Sequence, residues 1–261
     1  MKICVLVKEV PDAAVQKRLV NGRMDRGGEK NLNPYDTHAI EEAVRIKEAG
    51  AVQVDEVVAV SMGPESADRA IRKAISLGVD RAVHLCDEAL GGSDVAATGY
   101  ALAKALEREQ PDLVLLGQQS DDGECYTIGA VVADHLRMPS LTQVIKMDVA
   151  EGGLRCERQA EYGYDTVEIG MPAVISVGDA INEPRYPSLK AIMGAKKKPV
   201  EKVGIADVGL EPSEVGVDGS RCVWTAEKAP PQKAAGTIIE DEDTNETVER
   251  IVAWLDERKL I

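Results

Sequence analysis

Phenylalanine is absent from this 261-residue chain, and aromatic residues make up only 3% of it. With 44% hydrophobic residues, the core must be filled by Val, Ile, Leu and Ala, which suits helices packed on a parallel sheet. Positive charge is also scarce: 31 Lys and Arg against 45 Asp and Glu leave a formal net charge of -14. Binding to nucleic acid or an anionic membrane is driven largely by phosphate neutralisation, so this charge argues against a general affinity for polyanions. No run of 18 apolar residues exists, which argues against a membrane-inserted chain. The amino terminus, MKICVLVKEVPD, meets Asp12 without a small-residue cleavage site, so it reads as a strand and the protein as cytoplasmic. Five cysteines, at 4, 86, 125, 156 and 222, lack any C-x-x-C spacing. Neither a disulfide framework nor a zinc site is suggested; Cys4 and Cys86 read as small buried apolar residues. There is no Walker or G-x-G-x-x-G pattern, and no Ser-His-Asp or Cys-His arrangement with usable spacing. His38, His84 and His135 fall on helix or strand positions that suit structural roles, so a hydrolase is disfavoured.

What is present is alternation. Apolar, β-branched runs at 3–7, 55–63, 81–86 and 112–117 are each followed by a helical stripe. Asp36 caps a helix whose Ala39, Ile40, Ala43 and Val44 lie on one face. Ser66 begins another, with Ala67, Ala70, Ile71, Ala74 and Ile75 repeating before Gly78 ends it. Segments 93–109 and 124–136 continue the pattern, which implies an α/β fold with a doubly wound parallel sheet. After Pro139 the spacing changes to strands joined by Gly-containing turns, a small β annexe at about 140–170, and 172–181 reads as a strand returning to the sheet. From Asn182 clean periodicity is lost. Residues 182–198 form a Pro-bounded loop or short helix with a basic, solvated cluster at Lys196–Lys198, and 199–243 carries spaced Pro and Gly. A final helix over 244–258 has Val248, Ile251, Val252 and Leu255 on one stripe after an Asp243–Glu246 capping pair. The domains are therefore 1–198 and an extended arm, 199–261, which lacks its own core and wraps either a partner or its own domain.

In an open parallel sheet, ligands sit beyond the carboxyl ends of the strands. Of the four loops at that edge, GQQSDDGECYT at 117–127 leads into a helix whose first-turn amides, around Cys125 to Ile128, can bind a phosphate. Gly117, Gly123 and Gly129 allow the backbone to approach a ligand. On pattern alone, a solvated turn fits equally well.

Longer motifs then separate the possibilities: VKEVPD at 7–12, NPYD with AIEEAVRIKE at 33–48, AVSMGP at 59–64 and LLGQQSDDGE at 115–124. Further along are ERQAEYGYDTVEIGMPAVIS at 157–176, INEPRYPSLKAIMGAKKK at 181–198 and APPQKAAG at 229–236. In this order and over essentially the whole chain, the sequence resembles the β subunit of electron transfer flavoprotein, the FixA-type group included. The resemblance implies an adenine-nucleotide α-hydrolase-like sheet domain and a heterodimer with an α subunit. It further implies one FAD held mainly by α with its ring near β, and a structural AMP in the β crevice. Electrons would pass from flavin dehydrogenases of the acyl-CoA dehydrogenase type, as in fatty acid oxidation, to a membrane quinone oxidoreductase or another acceptor. Carried over by position, Leu6, Asn33 and Met62 line the adenosine. Gly123, Cys125, Tyr126, Thr127 and Ile128 surround the phosphate, mostly through backbone amides. The chain departs from the family where Asn-Gln-Thr is replaced by Tyr126-Thr127-Ile128, and where an acidic-Gly-Gly hairpin becomes Glu161-Tyr162-Gly163. The 181–193 block resembles a loop that docks on partner dehydrogenases, with Leu189 as its anchor, beside Tyr186 and Arg185; the alternative is that Leu189 packs internally. Glu161 or Asp165 would bear on the flavin potential if their hairpin approaches α. Two rivals remain: a flavin-bifurcating complex with a second FAD in β and NADH as donor, and a stand-alone ATP-sensing module of the universal-stress type, which has no need of the long arm.

Overall fold

The computed structural model describes residues 1–261 apart from 16, 17, 21, 22, 223, 224, 226, 229, 230, 232–235, 237 and 240–242. Strands β1 (Lys2–Leu6), β2 (Glu9–Pro11), β3 (Leu19–Val20), β4 (Arg23–Met24) and β5 (Lys30–Leu32) lead to helix α1 (Pro34–Ala49). Then β6 (Glu56–Met62), α2 (Asp68–Ser76), β7 (Arg81–Leu85), α3 (Val95–Glu109), β8 (Leu113–Gly117) and α4 (Ile128–Leu136) alternate. β9 (Ser140–Ala150), β10 (Gly153–Ala160), β11 (Gly163–Gly170) and β12 (Ala173–Val177) follow. After them come α5 (Leu189–Ala195), β13 (Val200–Val203), α6 (Gly216–Gly219) and α7 (Thr244–Glu257). The chain divides into two units, Met1–Ala226 and Glu227–Ile261.

In the first unit, nine strands form one sheet in the order β11-β10-β9-β12-β8-β1-β6-β7-β13. Every pairing from β9 to β13 is parallel, and β10 and β11 extend the β9 edge in antiparallel fashion. The annexe at 140–170 is thus joined edge-on to the main sheet. The pleat sends Ile3 and Val5 to one face, where they pack with Ile40, Val44, Ile71 and Ile75 of α1 and α2. Cys4 and Leu6 face the other side, among Ala101, Leu106 and Val132 of α3 and α4. Fully burying each Val, Leu or Ile side chain among these stabilises the fold by roughly 1.5–3 kcal/mol. Small residues let the helices close in: a Cβ on Gly99 would lie 2.4 Å from Val131 Cγ1, so α3 and α4 could not pack as they do with any larger residue there.

Two boundaries differ from those the sequence suggests. β13 pairs with β7 as the outer parallel strand, and Val203, Ile205, Val208, Leu210 and Val215 are buried in the α3/α4 face. Sheet domain therefore continues past residue 198, and the division between units falls at 226/227. α4 begins at Ile128 rather than near Glu124, because Glu124 sits in the left-handed region at φ 49 and residues 124–127 form an irregular approach. In the second unit α7 occupies the expected span; Asp243 caps it by accepting from Asn245 N at 2.8 Å, and Val248, Ile251 and Val252 are exposed. The APPQKAAG stretch lies largely outside the described residues. Among the described residues no helix is long and apolar enough to cross a membrane.

Candidate functional site

From β1 the chain runs outward to β6 and β7, then returns to the other side of β1 as β8. The crevice beyond the carboxyl ends of β1 and β8 is therefore the topological switch point. Polar side chains stitch three loops together there. Asn33, buried at the start of α1, donates from Nδ2 to Gln119 O and to Asp36 Oδ1, both at 2.8 Å, and accepts from Asp121 N at 3.1 Å. Asn33 occupies the N-cap position, and Asp36, expected to cap the helix, instead sits buried in its first turn and accepts from Lys8 N at 2.8 Å. Lys8 Nζ donates to Ser120 Oγ at 3.1 Å and Asp122 Oδ1 at 2.7 Å, and Arg26 Nε reaches Asp122 Oδ2 at 3.1 Å.

These surroundings push the two carboxyls in opposite directions. Burial dominates at Asp36 and raises its pKa to about 7, against the pull of hydrogen bonds from Asn33 and Lys8. Burial also acts on Asp122, but the Lys8 charge and bonds from Lys8, Ser120 and Arg26 outweigh it and hold this carboxyl below the usual range. Sequence reasoning missed Lys8, Arg26 and Asp122. Lys8 and Asp122 stand 114 positions apart, and no local pattern signals a pair that only the sheet topology brings together.

Residues Gly123 to Thr127 are exposed, and Thr127 makes no side-chain cap bond to α4. The first helical amide to pair is Val131 N, with Thr127 O at 3.1 Å. The amides of Ile128, Gly129 and Ala130 are left as the uncompensated donors of a helix start. Gly123 N, Glu124 N and Thr127 N are already used in turns, bonding to Ser120 O, Ser120 O and Cys125 O. Leu6, Met62 and Ile128 belong to one apolar cluster at this edge. Gln119 Oε1 is buried without a hydrogen-bond partner. Helix-start amides for an anion, an apolar floor and a spare buried acceptor form a donor set that fits a nucleoside monophosphate. Gly117 serves a different purpose from the one its position suggests. A Cβ there would meet Tyr35 C at 2.6 Å, so it admits the start of α1 rather than a ligand.

A second feature lies beyond β12. Asn182 Nδ2 donates to His38 O and Glu42 Oε2, each at 3.0 Å, and His38 Nδ1 bonds Asn182 O. Arg185 is engaged by Glu41 and Glu48 of α1. Between these braces and α5 the apolar surface stands out: Tyr186 is 95% exposed and Leu189 81%, so Leu189 does not pack internally. Lys196 and Lys197 are exposed, whereas Lys198 donates to Val79 O at 2.7 Å. At the β10–β11 hairpin, Tyr162 donates its hydroxyl to Asp165 at 3.0 Å. Arg158 first, then Tyr162, hold the Asp165 carboxyl below its usual range. Tyr162 is thereby a brace within the turn.

The remaining titratable candidates are structural. His84 bonds Gly63 O, and His135 lies 4.9 Å from the Tyr100 ring. Cys4 is fully buried, and burial raises its pKa to about 12; Cys86 is only half-buried. Among the described residues no group of His, Cys, Asp and Glu could hold a metal ion.

Residues 22–208 match the electron transfer flavoprotein domain. The chain is 41% identical over 265 residues to the electron transfer flavoprotein subunit beta of Mycobacterium tuberculosis, covering 99% of each. It is 36% identical over 268 residues to the subunit of the same name from Thermoanaerobacterium thermosaccharolyticum, covering 100% of each. It is also 34% identical over 264 residues to the caffeyl-CoA reductase-Etf complex subunit CarD of Acetobacterium woodii, again covering 100% of each. A domain match across most of the sheet unit, together with end-to-end similarity to beta subunits, places the chain in the electron transfer flavoprotein family, as a chain of the beta-subunit type that acts in electron transfer beside an alpha subunit.

Proposed function

We propose that this β-type chain holds an AMP at the α4 start and completes, with its α subunit, the seat of one FAD. The complex would carry electrons from flavin dehydrogenases of the acyl-CoA dehydrogenase type to a quinone oxidoreductase or another acceptor. The observation that carries the nucleotide reading is the uncapped α4 start, whose Ile128, Gly129 and Ala130 amides face no anion of the chain's own. Gly123, Cys125, Tyr126 and Thr127 shape the approach through their backbones, and Leu6, Met62 and the edge of Asn33 bound the adenosine. FAD, when bound, supplies the one-electron chemistry; this chain contributes position and docking. Tyr186 and Leu189 meet the partner dehydrogenase, and the segment containing α7 wraps the α subunit. Lys8 and Arg26 neutralise Asp122, which keeps one carboxylate of an acidic loop from repelling the phosphate.

A second reading is favoured by the similarity to a chain named for a caffeyl-CoA reductase-Etf complex. In it the complex bifurcates electrons, the crevice takes a second FAD in place of AMP, and NADH is the donor. Denaturing the purified αβ complex and counting released nucleotides by mass spectrometry separates the two. One FAD and one AMP per heterodimer supports the carrier; two FAD and no AMP supports bifurcation; no adenine nucleotide beyond a single FAD sinks both assignments of the crevice.

A further inference from the structure

Arg185 sits inside the exposed loop after β12, yet its side chain is spent on the protein itself. Its Nε and Nη2 donate to Glu41 at 2.7 and 3.1 Å, its backbone N to the same carboxylate at 3.1 Å, and its Nη1 and Nη2 to Glu48 at 2.7 and 2.8 Å. Glu41 and Glu48 are two helical turns apart on α1, so their carboxylates rise on one face and the planar guanidinium forks between them. The Glu41 side chain is only 8% exposed, so this end of the fork lies largely out of water, where such a bond is least screened. Three residues earlier Asn182 is fixed to His38 and Glu42 of the same helix. At the far end of the loop Arg72 Nη1 donates to Ala195 O at 3.0 Å and Lys198 O at 2.7 Å. Both feet of the segment are clamped, and Tyr186, Leu189, Ile192 and Met193 stand exposed between them.

We infer that Arg185 is a positioning residue: through Glu41 and Glu48 it holds the Tyr186–Leu189 surface ready-shaped for a flavin-dependent dehydrogenase, without touching that partner itself. The inference rests on the docking reading of the loop given above. A preformed loop avoids the entropic cost of ordering on contact, so its bracing is felt in affinity rather than in the electron-transfer step. Lysine is a poor replacement, because an ammonium lacks the planar fork that meets both carboxylates bidentately.

The test uses the intact αβ complex and an acyl-CoA dehydrogenase kept reduced by excess acyl-CoA, with flavin reduction followed against dehydrogenase concentration. Arg185→Ala and Arg185→Lys are each expected to raise KM for the dehydrogenase at least tenfold with kcat unchanged. Hydrogen exchange at residues 186–193 should quicken to match. The Glu41→Gln/Glu48→Gln variant should reproduce both effects, and adding Arg185→Ala to it should change neither further. Leu189→Ala should raise KM and leave exchange alone. If Arg185→Ala raises KM while the double glutamine variant does not, Arg185 touches the partner directly and the inference is overturned. It is equally overturned if Leu189→Ala raises KM and Arg185→Ala does not. Should neither Leu189→Ala nor Arg185→Ala move KM, the docking reading fails and takes this inference with it.

Discussion

Helices α3 and α4 begin on the same edge of the same sheet, yet one start is closed and the other open. At α3 the chain supplies its own anion. Asp94 accepts from Ala97 N at 2.9 Å and from the amides of Arg221 and Cys222 at 2.8 and 2.9 Å, while its own N–H donates to Ser220 Oγ. At α4 the Thr127 hydroxyl makes no cap bond and the approach is exposed. The helix dipole is the same physics in both places. What makes one start a candidate ligand site is the lack of an internal carboxylate, and what closes the other is a segment some 126 positions further along.

The largest expected effect comes from erasing that difference. Thr127→Asp places a fixed negative charge at the proposed phosphate position, and AMP affinity should fall at least 100-fold by calorimetry. The reverse change, Asp94→Ala, removes a cap and the tie to 220–222; stability should drop by about 1–2 kcal/mol in urea titrations. Proteolysis within 216–222 should rise at the same time.

Titration sharpens the contrast. At Asp94 burial opposes ionisation, but the amides of Ala97, Cys222 and Arg221 prevail and lower its pKa. The stability it contributes is therefore present above its unfolded value near 3.8 and is lost as pH falls through the depressed folded value. Asp36 has the opposite sign. With a folded pKa of about 7 against 3.8 unfolded, its contribution is fully present below pH 3.8 and is lost as pH rises towards 7. Unfolding measured from pH 3 to 8 should show the neutral slope flatten in Asp36→Ala and the acid slope flatten in Asp94→Ala. The smallest effect belongs to Tyr126→Asn: if amides bind the phosphate, affinity should change less than about twofold, within the range of a few tenths of a kcal/mol seen for surface changes.

Much of this was legible from periodicity. The four runs at 3–7, 55–63, 81–86 and 112–117 became β1, β6, β7 and β8 within a residue or two, because a strand buried on both faces is apolar throughout. β13 was not legible: four residues at a sheet edge, two of them charged and exposed, leave no period to detect. Nor were Ile205, Val208 and Leu210, whose 3₁₀ turns and irregular spacing fit neither helix nor strand. At the site, the loop and its glycines stood out, whereas the role of Asn33 as a stitch and the Lys8–Asp122–Arg26 cluster depend on contacts that only the folded topology creates. Arg185 was visible as part of the loop, but its turn towards α1 was not.

The most direct test is a ¹⁵N–¹H amide spectrum of this chain titrated with AMP. Large shifts are expected at Ile128, Gly129 and Ala130, with Ala96 and Ala97 at the α3 start unmoved. Shifts at the α3 start, or none at α4 while AMP binds, would contradict the claim that an uncapped helix start is what receives the nucleotide.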